Sequence, residues 1–192
     1  MILTSKKAKE YLENARGYQE SDLWIKHSYL VGEVASIIAE NLNLDSEKAL
    51  TLGLVHDIGK SVGPIEKHII NGYKYLKALG YDDEYCDICL VHSYLNNDTY
   101  CTAGGICTNV ELTKWIKNHK YTIYEKIINL ADLMCTFEIC TIEDRLKDIK
   151  NRYGVFENTL YHKKEVFKLK KEFDRLLGFD LYDLFFEKNT KK

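Results

Sequence analysis

The chain has 192 residues, of which 45% are hydrophobic and 29% are charged, and its formal net charge is -2. These values are typical of a globular protein with one sizeable core, and the near-neutral charge gives no electrostatic reason to expect nucleic acid as a partner. No apolar run reaches the length of a membrane span, and the N-terminus lacks an apolar segment of the signal-peptide type. We therefore expect a cytoplasmic protein with no membrane partner, in which most of the six cysteines are reduced.

The first part of the chain is predicted to be helical. A short amphipathic helix is predicted over 4–16, and a longer one over 22–41, where apolar residues recur at helical spacing. His27 lies on the apolar face of this second helix, one turn before Val31. A histidine in that position is either a hydrogen-bonded core residue or a ligand. Taken alone, its position does not distinguish the two.

The third predicted helix begins at Asp45 and ends in an adjacent His56 and Asp57. A buried imidazole and a buried carboxylate cost free energy unless a partner compensates them, and a divalent metal ion binds both; an ordinary helix cap is the alternative. Adjacent helical residues diverge by about 100°, so both reach one ion only beyond the helix end, which Gly59 is expected to provide. Lys60 is expected either to contact phosphate or to be solvated.

Two further histidines follow on the next two predicted helices. Pro64 is expected in the first turn of the fourth helix, with His68 one turn in and Gly72 on the same face, where it allows close approach of another element. The fifth helix is predicted over about 83–94 and presents His92. For His92 a half-buried structural role is the alternative interpretation.

The middle of the chain is predicted to hold a loop and two helices. The loop over 96–108 is rich in Asn, Thr and Gly, and we expect it to border the site. Of the helices predicted over 109–119 and 124–137, the second is strongly apolar and carries Asp132. A buried carboxylate needs a partner. A metal ion is one, and a hydrogen bond to backbone or to a tyrosine is the alternative.

The last part of the chain is expected to close the core. A helix is predicted over 141–153, and packing helices are predicted over 160–186. Arg145 is expected in a surface ion pair rather than on a substrate. His119 is expected to face solvent, and His162, beside two lysines, is not expected to be a ligand.

These histidines and aspartates form a pattern that resembles the HD-domain metal-dependent phosphohydrolases. The family pattern is a His on one helix, a His-Asp pair on the next and a later Asp, and the His-Asp-Ile-Gly form found here is that of the HDIG branch. The resemblance covers about 23–153, and two more histidines match positions that distinguish dinuclear members. The matching residues are His27, His56, Asp57, His68, His92 and Asp132.

The resemblance implies an all-α, single-domain HD-type helical bundle over 1–192, with its core at about 22–153. It also implies a centre of two divalent or mixed-valent transition metal ions bridged by Asp57. Iron is preferred by the resemblance, and the ligand types also suit manganese, zinc or cobalt. One ion would be held by His27, His56, Asp57 and Asp132, and the other by Asp57, His68 and His92.

The implied activity is hydrolysis of a phosphate ester or phosphoanhydride by a metal-activated water, with Asp57 and Lys60 as catalytic side chains. Ser93 stands where the cyclic-di-GMP phosphodiesterase branch has a second His, and that branch's Gly-Tyr-Pro motif is missing. The pattern is closer to the bacterial HD-type diadenosine tetraphosphate hydrolases, and a mononucleotide phosphatase stays open as well. The expected partner is therefore a small phosphorylated molecule, a nucleotide.

A function of a different class stays open from the sequence. The chain could be a nucleotide- or metal-binding regulatory module that keeps the fold with little turnover. Metal content together with a phosphatase screen distinguishes this module from an enzyme. The oligomeric state also stays open, with a homodimer as one option.

Overall fold

The computed structural model of the chain describes residues 1–101, 105–155 and 158–186. The all-α fold predicted from the sequence is confirmed. Helices α1 to α9 are Ser5–Asn14, Leu23–Asn41, Ser46–Val55, His68–Ala78, Asp83–Val91, Val110–Asn118, Ile123–Asp132, Ile142–Tyr153 and Thr159–Leu177. Short 3-10 helices span Ile58–Ser61, Ile65–Lys67 and Leu181–Leu184, and the strands Tyr100–Cys101 and Gly105–Ile106 form a small antiparallel pair, β1 and β2.

Helices α2 and α3 touch backbone to backbone. A Cβ added to Gly53 would lie 2.5 Å from the Cα of Gly32, and one added to Gly32 would lie 3.0 Å from the carbonyl oxygen of Leu50. Side chains at either glycine would therefore separate the two helices. This contact brings the helix that carries His27 against the helix that ends at His56.

Helix α7 lies at the centre of the hydrophobic core. Its residues Ile127, Ile128, Leu130 and Ala131 are all fully buried. Its N-terminus is fixed by a capping box between the side chains and backbone of Thr122 and Glu125, which satisfies donors that the first turn leaves unpaired. Burial of this apolar stripe places the C-terminal end of α7, and Asp132 with it, inside the molecule.

Several helix ends differ from the prediction. Helix α7 ends at Asp132 rather than near 137, because the chain turns back through an antiparallel bridge between Cys135 and Ile139. Helix α4 begins at His68, after the 3-10 turn that follows Pro64. The C-terminal helix ends at Leu177, where Gly178 takes a positive φ of 81°, a conformation that favours glycine.

Gly59 also differs from its predicted role. Helix α3 has already ended at Val55, and Gly59 lies in the following 3-10 turn. A Cβ there would lie 1.9 Å from the carbonyl oxygen of His68 and 2.4 Å from the amide nitrogen of Gly72. Glycine is required because two backbone segments pack together, and the predicted close approach at Gly72 is part of the same contact.

In its described part, the loop over 96–108 contacts helices α6 and α9. The Asn97 side chain donates to the carbonyl oxygen of Ile116 at 2.7 Å, and Asp98 lies 3.8 Å from the ring of His162. Residues 102–104 of this loop lie outside the described residues. Among the helices that the structure describes, none combines the length and low charge that a membrane crossing needs.

Candidate metal centre

Six polar side chains from five helices converge at one point inside the bundle. Most of them stand at helix ends, where side chains from different helices can meet without interrupting the packing of the helix bodies. His27 lies within α2, His56 and Asp57 directly follow α3, and His68 is the first residue of α4. His92 directly follows α5, and Asp132 is the last residue of α7.

The first group of these side chains surrounds His56. The Nε2 atom of His27 lies 2.9 Å from Oδ1 of Asp132, and the rings of His27 and His56 are 5.3 Å apart. One ligand atom each from His27, His56 and Asp57 lie within 4.8 Å of one another. Three or four donors at such distances can bind one ion.

The second group shares Asp57 with the first. Oδ1 of Asp57 lies 3.3 Å from Nε2 of His68 and 3.5 Å from Nε2 of His92, and these two nitrogens are 3.3 Å apart. Oδ2 of the same carboxylate lies 3.5 Å from Nε2 of His56. Oδ2 of Asp57 thus faces His56, while Oδ1 faces His68 and His92, so the two oxygens lie toward different histidines.

Three of the four histidines are oriented in the same way. Nδ1 of His56, His68 and His92 lies 2.6, 2.6 and 3.0 Å from the carbonyl oxygen three residues earlier. A carbonyl only accepts, so each Nδ1 carries the hydrogen and donates it. The lone pair is therefore on Nε2, which faces the centre in each case, and this is how protein backbones orient metal-binding imidazoles.

The donor set fits a cation. Nε2 of His56 is buried and has no hydrogen-bond partner among the described residues, although a buried acceptor without a partner costs free energy. Burial lowers the pKa of His56, and it lowers the pKa of His68 and His92 to about 4. These imidazoles are neutral at pH 7, which is the state that binds metal.

The two carboxylates are ionised. Burial would raise the pKa of Asp57, but Lys60 and the surrounding histidines hold it well below its usual value. Burial likewise opposes ionisation of Asp132, and its hydrogen bond with His27 lowers its pKa instead. Ionised carboxylates and neutral imidazoles together form a ligand set for borderline divalent transition metals.

Two cationic side chains stand at this centre. The Nζ atom of Lys60 contacts Oδ2 of Asp57, and only 17% of the Lys60 side chain is exposed, so it is not the solvated lysine of the alternative reading. Arg145 does pair with Asp148, as expected, at 3.2 Å. Its side chain is only 17% exposed and also lies 4.0 Å from Asp132, so the expected pair is partly buried and borders the centre.

Asn129 is a contributor that the sequence interpretation missed. Its buried side-chain amide lies 3.0, 2.7 and 3.1 Å from the carbonyl oxygens of Val91, His92 and Tyr94. These hydrogen bonds fix the backbone at the end of α5 and thereby the position of His92, whose side chain faces the centre. The available signal was a polar residue in an apolar helix, one turn before Asp132.

The remaining two histidines lie outside the centre. His119 was expected to face solvent, but it stacks on Trp115 with ring centroids 4.3 Å apart, and its Nε2 lies 2.8 Å from the buried carboxylate of Glu125. His162 is buried in α9 beside Asp98. Neither joins the two ligand groups found among the described residues.

Comparison with known proteins agrees with this geometry. The model of the family described as "HD domain" matches residues 24–135. The chain is 30% identical over 169 residues to a tRNA (cytidine(56)-2'-O)-methyltransferase from Picrophilus torridus. The matched segment covers 85% of this chain and 45% of that protein. It is also 36% identical over 70 residues to Ribonuclease Y from Fervidobacterium nodosum. This match covers 35% of this chain and 14% of that protein.

A second Ribonuclease Y, from Mesoplasma florum, is 40% identical over 60 residues, covering 30% of this chain and 12% of that protein. The chain therefore spans less than half the length of each of these curated relatives. No solved structure matches the chain.

Proposed function

The chain belongs to the HD domain family of metal-dependent phosphohydrolases, and on that premise we propose that it hydrolyses a phosphate ester or phosphoanhydride of a small, nucleotide-like substrate. The observation that carries the proposal is the placement of Asp57. One of its oxygens faces His56 and the other faces His68 and His92, which supports a centre of two ions rather than one.

The proposed cofactors are two transition metal ions, with iron preferred by family resemblance and manganese, zinc or cobalt also suited to the donors. Ions of this kind supply Lewis-acid chemistry, which lowers the pKa of nearby water and offsets negative charge on phosphoryl oxygens. His27, His56, Asp57 and Asp132 would hold one ion, and Asp57, His68 and His92 the other.

The chain's own residues prepare the site for a phosphorylated substrate. The backbone carbonyls behind His56, His68 and His92 keep their Nε2 atoms turned inward. Lys60 lies against Asp57 and can donate to a phosphoryl oxygen as a point charge. The centre is largely enclosed, and charge–charge interactions are stronger there than in bulk water.

We propose a small nucleotide rather than nucleic acid as the substrate, in a cytoplasmic setting. The names of the curated relatives refer to RNA, but the Ribonuclease Y proteins share only short segments with this chain. The net charge of -2 does not favour a long polyanion, whose binding is driven by clustered basic residues. Dinucleoside polyphosphates are the preferred class, from the resemblance described above.

The test is a substrate panel on the full chain loaded with iron, manganese or zinc. The panel contains nucleoside mono- and triphosphates, dinucleoside polyphosphates, cyclic dinucleotides and a short RNA, with phosphate and nucleotide products measured by chromatography. We expect turnover of a small nucleotide. A metal-free protein that binds nucleotide without turnover would instead support the regulatory-module alternative.

The matched variants are Asp57→Ala and Asp83→Ala. Asp57→Ala is expected to lose both bound metal and turnover, because each group of histidines shares this carboxylate. Asp83 is exposed on α5 and pairs with Lys77, so its removal should change neither quantity. Normal hydrolysis by Asp57→Ala would overturn the proposed mechanism.

A further inference from the structure

The guanidinium of Arg145 has more donors than the surrounding protein satisfies. Its Nη1 lies 3.2 Å from Asp148, while its Nε is buried with no hydrogen-bond partner among the described residues. Its Nη2 is 4.0 Å from Oδ1 of Asp132, which is longer than a hydrogen bond. Because a largely enclosed guanidinium is costly without acceptors, Arg145 is suited to bind an anionic group.

The charges at the centre also indicate an anion. The carboxylates of Asp57, Asp132 and Asp148 are balanced by three cationic side chains, those of Lys60, Arg145 and Arg152. Any charge that divalent ions bring is then uncompensated by these groups. A substrate with several negative charges restores the balance, and Arg145 is suited to it because its planar fork matches phosphate oxygens.

A line of alternating contacts leads from Arg145 to an exposed aromatic ring. Asp148 accepts from Arg145 on one side and from Arg152 on the other, at 2.9 Å. The guanidinium of Arg152 lies 5.5 Å from the ring centroid of Phe137. Phe137 is 48% exposed, in the loop that directly follows Asp132.

The spacing of Arg145 and Arg152 along α8 places one at the centre and the other near its rim. Arg145 and Arg152 are seven residues apart, which is two turns on one face and about 10.5 Å of helix rise. A phosphate contact at the centre and an aromatic platform at the rim are thus on the same side of the helix. Aromatic rings and arginine planes are the groups on which nucleobases stack.

We propose that Arg145 binds a phosphate group of the substrate and that Phe137, backed by Arg152, receives the attached base. The substrate class is then a nucleotide with a multiply charged phosphate, bound with the phosphate at the centre and the base at the rim. This inference rests on the proposed function and specifies its substrate.

The test measures binding rather than turnover. The full chain is loaded with manganese, and its affinities for a nucleoside monophosphate and for inorganic phosphate are measured by titration calorimetry. Phe137→Ala should weaken binding of the nucleotide about tenfold, a typical effect of losing one stacked base, and leave inorganic phosphate unchanged. Arg145→Ala should weaken binding of both ligands about tenfold, as expected for a charged hydrogen bond.

Matched controls separate these effects from general loss of charge or apolar surface. Arg175→Ala removes an exposed arginine of α9, and Phe179→Ala removes a partly exposed phenylalanine after α9; both should bind as the wild type does. If Arg145→Ala loses metal, Arg145→Lys decides, since it keeps the charge near Asp132 but lacks the planar fork. It should keep the metal and still bind phosphate more weakly.

Three outcomes would overturn the inference. If Arg145→Lys and Arg145→Ala bind phosphate with the affinity of the wild type, Arg145 does not contact the phosphate. If Phe137→Ala weakens the binding of nucleotide and of inorganic phosphate equally, Phe137 does not contact the base. If the wild-type chain turns over nucleotides while these variants bind normally, the inference fails and the proposed function stands; if the wild type holds no metal and cleaves nothing in the panel, both fail.

Discussion

The side-chain amide of Asn129 donates to the backbone carbonyl of His92 at 2.7 Å, inside the core. Two further carbonyls, of Val91 and Tyr94, lie within hydrogen-bond distance of the same nitrogen. The amide has two hydrogens for three acceptors, so at least one is shared. Helix α7 therefore positions both Asp132, at its end, and His92, on a different helix.

Replacing Asn129 with Ala should destabilise the fold and loosen the second ligand group. The buried carbonyls lose their shared donor, at a cost of about 1–3 kcal/mol, and the backbone at His92 gains freedom. Urea unfolding and a manganese titration measure the two effects. Asn41→Ala is the control, because Asn41 donates to Ile37 on an exposed surface; equal losses in both variants would contradict this role for Asn129.

The bridging position of Asp57 predicts how many ions each variant retains. His27→Ala and His68→Ala should each lose about one of two ions, because each removes a donor from one ligand group only, whereas Asp57→Ala should lose both. Elemental analysis after dialysis measures the metal-to-protein ratio. His119→Ala should keep both ions. Retention of two ions by His68→Ala would show that the second group is not a metal site.

The contact at Gly59 predicts that even a methyl group is not tolerated there. An alanine Cβ would lie 1.9 Å from the carbonyl oxygen of His68, so the 3-10 turn and α4 would have to separate. We expect the free energy of unfolding to fall by about 3 kcal/mol or more, at the upper end of the range for overpacked sites.

Gly17→Ala is the matched control for Gly59→Ala. Gly17 has a φ of 75°, and apart from its chain neighbours no described residue comes within 4 Å of an added Cβ, so alanine there costs only backbone strain of about 1–2 kcal/mol. Thermal unfolding of the two variants gives the comparison. A Gly59→Ala protein as stable as Gly17→Ala would show that the turn is not packed against α4.

Asp87 predicts a pH-dependent stability that is separate from the metal centre. Burial raises its pKa from 3.8 to about 6, so the folded chain binds this proton more tightly than the unfolded chain does. The stability contributed by the protonated form is complete below pH 3.8 and is lost as pH rises through 6. The charged groups that act on it are His119, Lys77, Asp83 and Glu125.

Asp87→Asn should therefore be more stable than the wild type at pH 8, but not at pH 4. We expect a gain of about 1 kcal/mol, reduced from the full linkage value because Asp87 is only half-buried. Urea unfolding of the metal-free chain at both pH values measures it. The control is Glu20→Gln, which removes an exposed carboxylate that is not among the groups acting on Asp87 and should show no such difference between the two pH values. A gain at pH 4 equal to that at pH 8 would exclude ionisation as the cause.

Much of this protein was predictable from local patterns. The apolar residues at helical spacing predicted the helices, and the order of His and Asp residues predicted which side chains to compare, because periodicity and residue chemistry are read directly along the chain. Positions such as His56 and Asp57, at the end of an apolar run, stood out for the same reason.

Long-range packing determined the rest. Arg145 turns toward Asp132, Asn129 supports His92, and Gly59 is needed for contact with α4 rather than for a helix end. Each of these relationships joins residues that are distant in sequence or on different elements. Which residues meet in these contacts follows from how the helices pack, and packing depends on long-range contacts that no local pattern encodes.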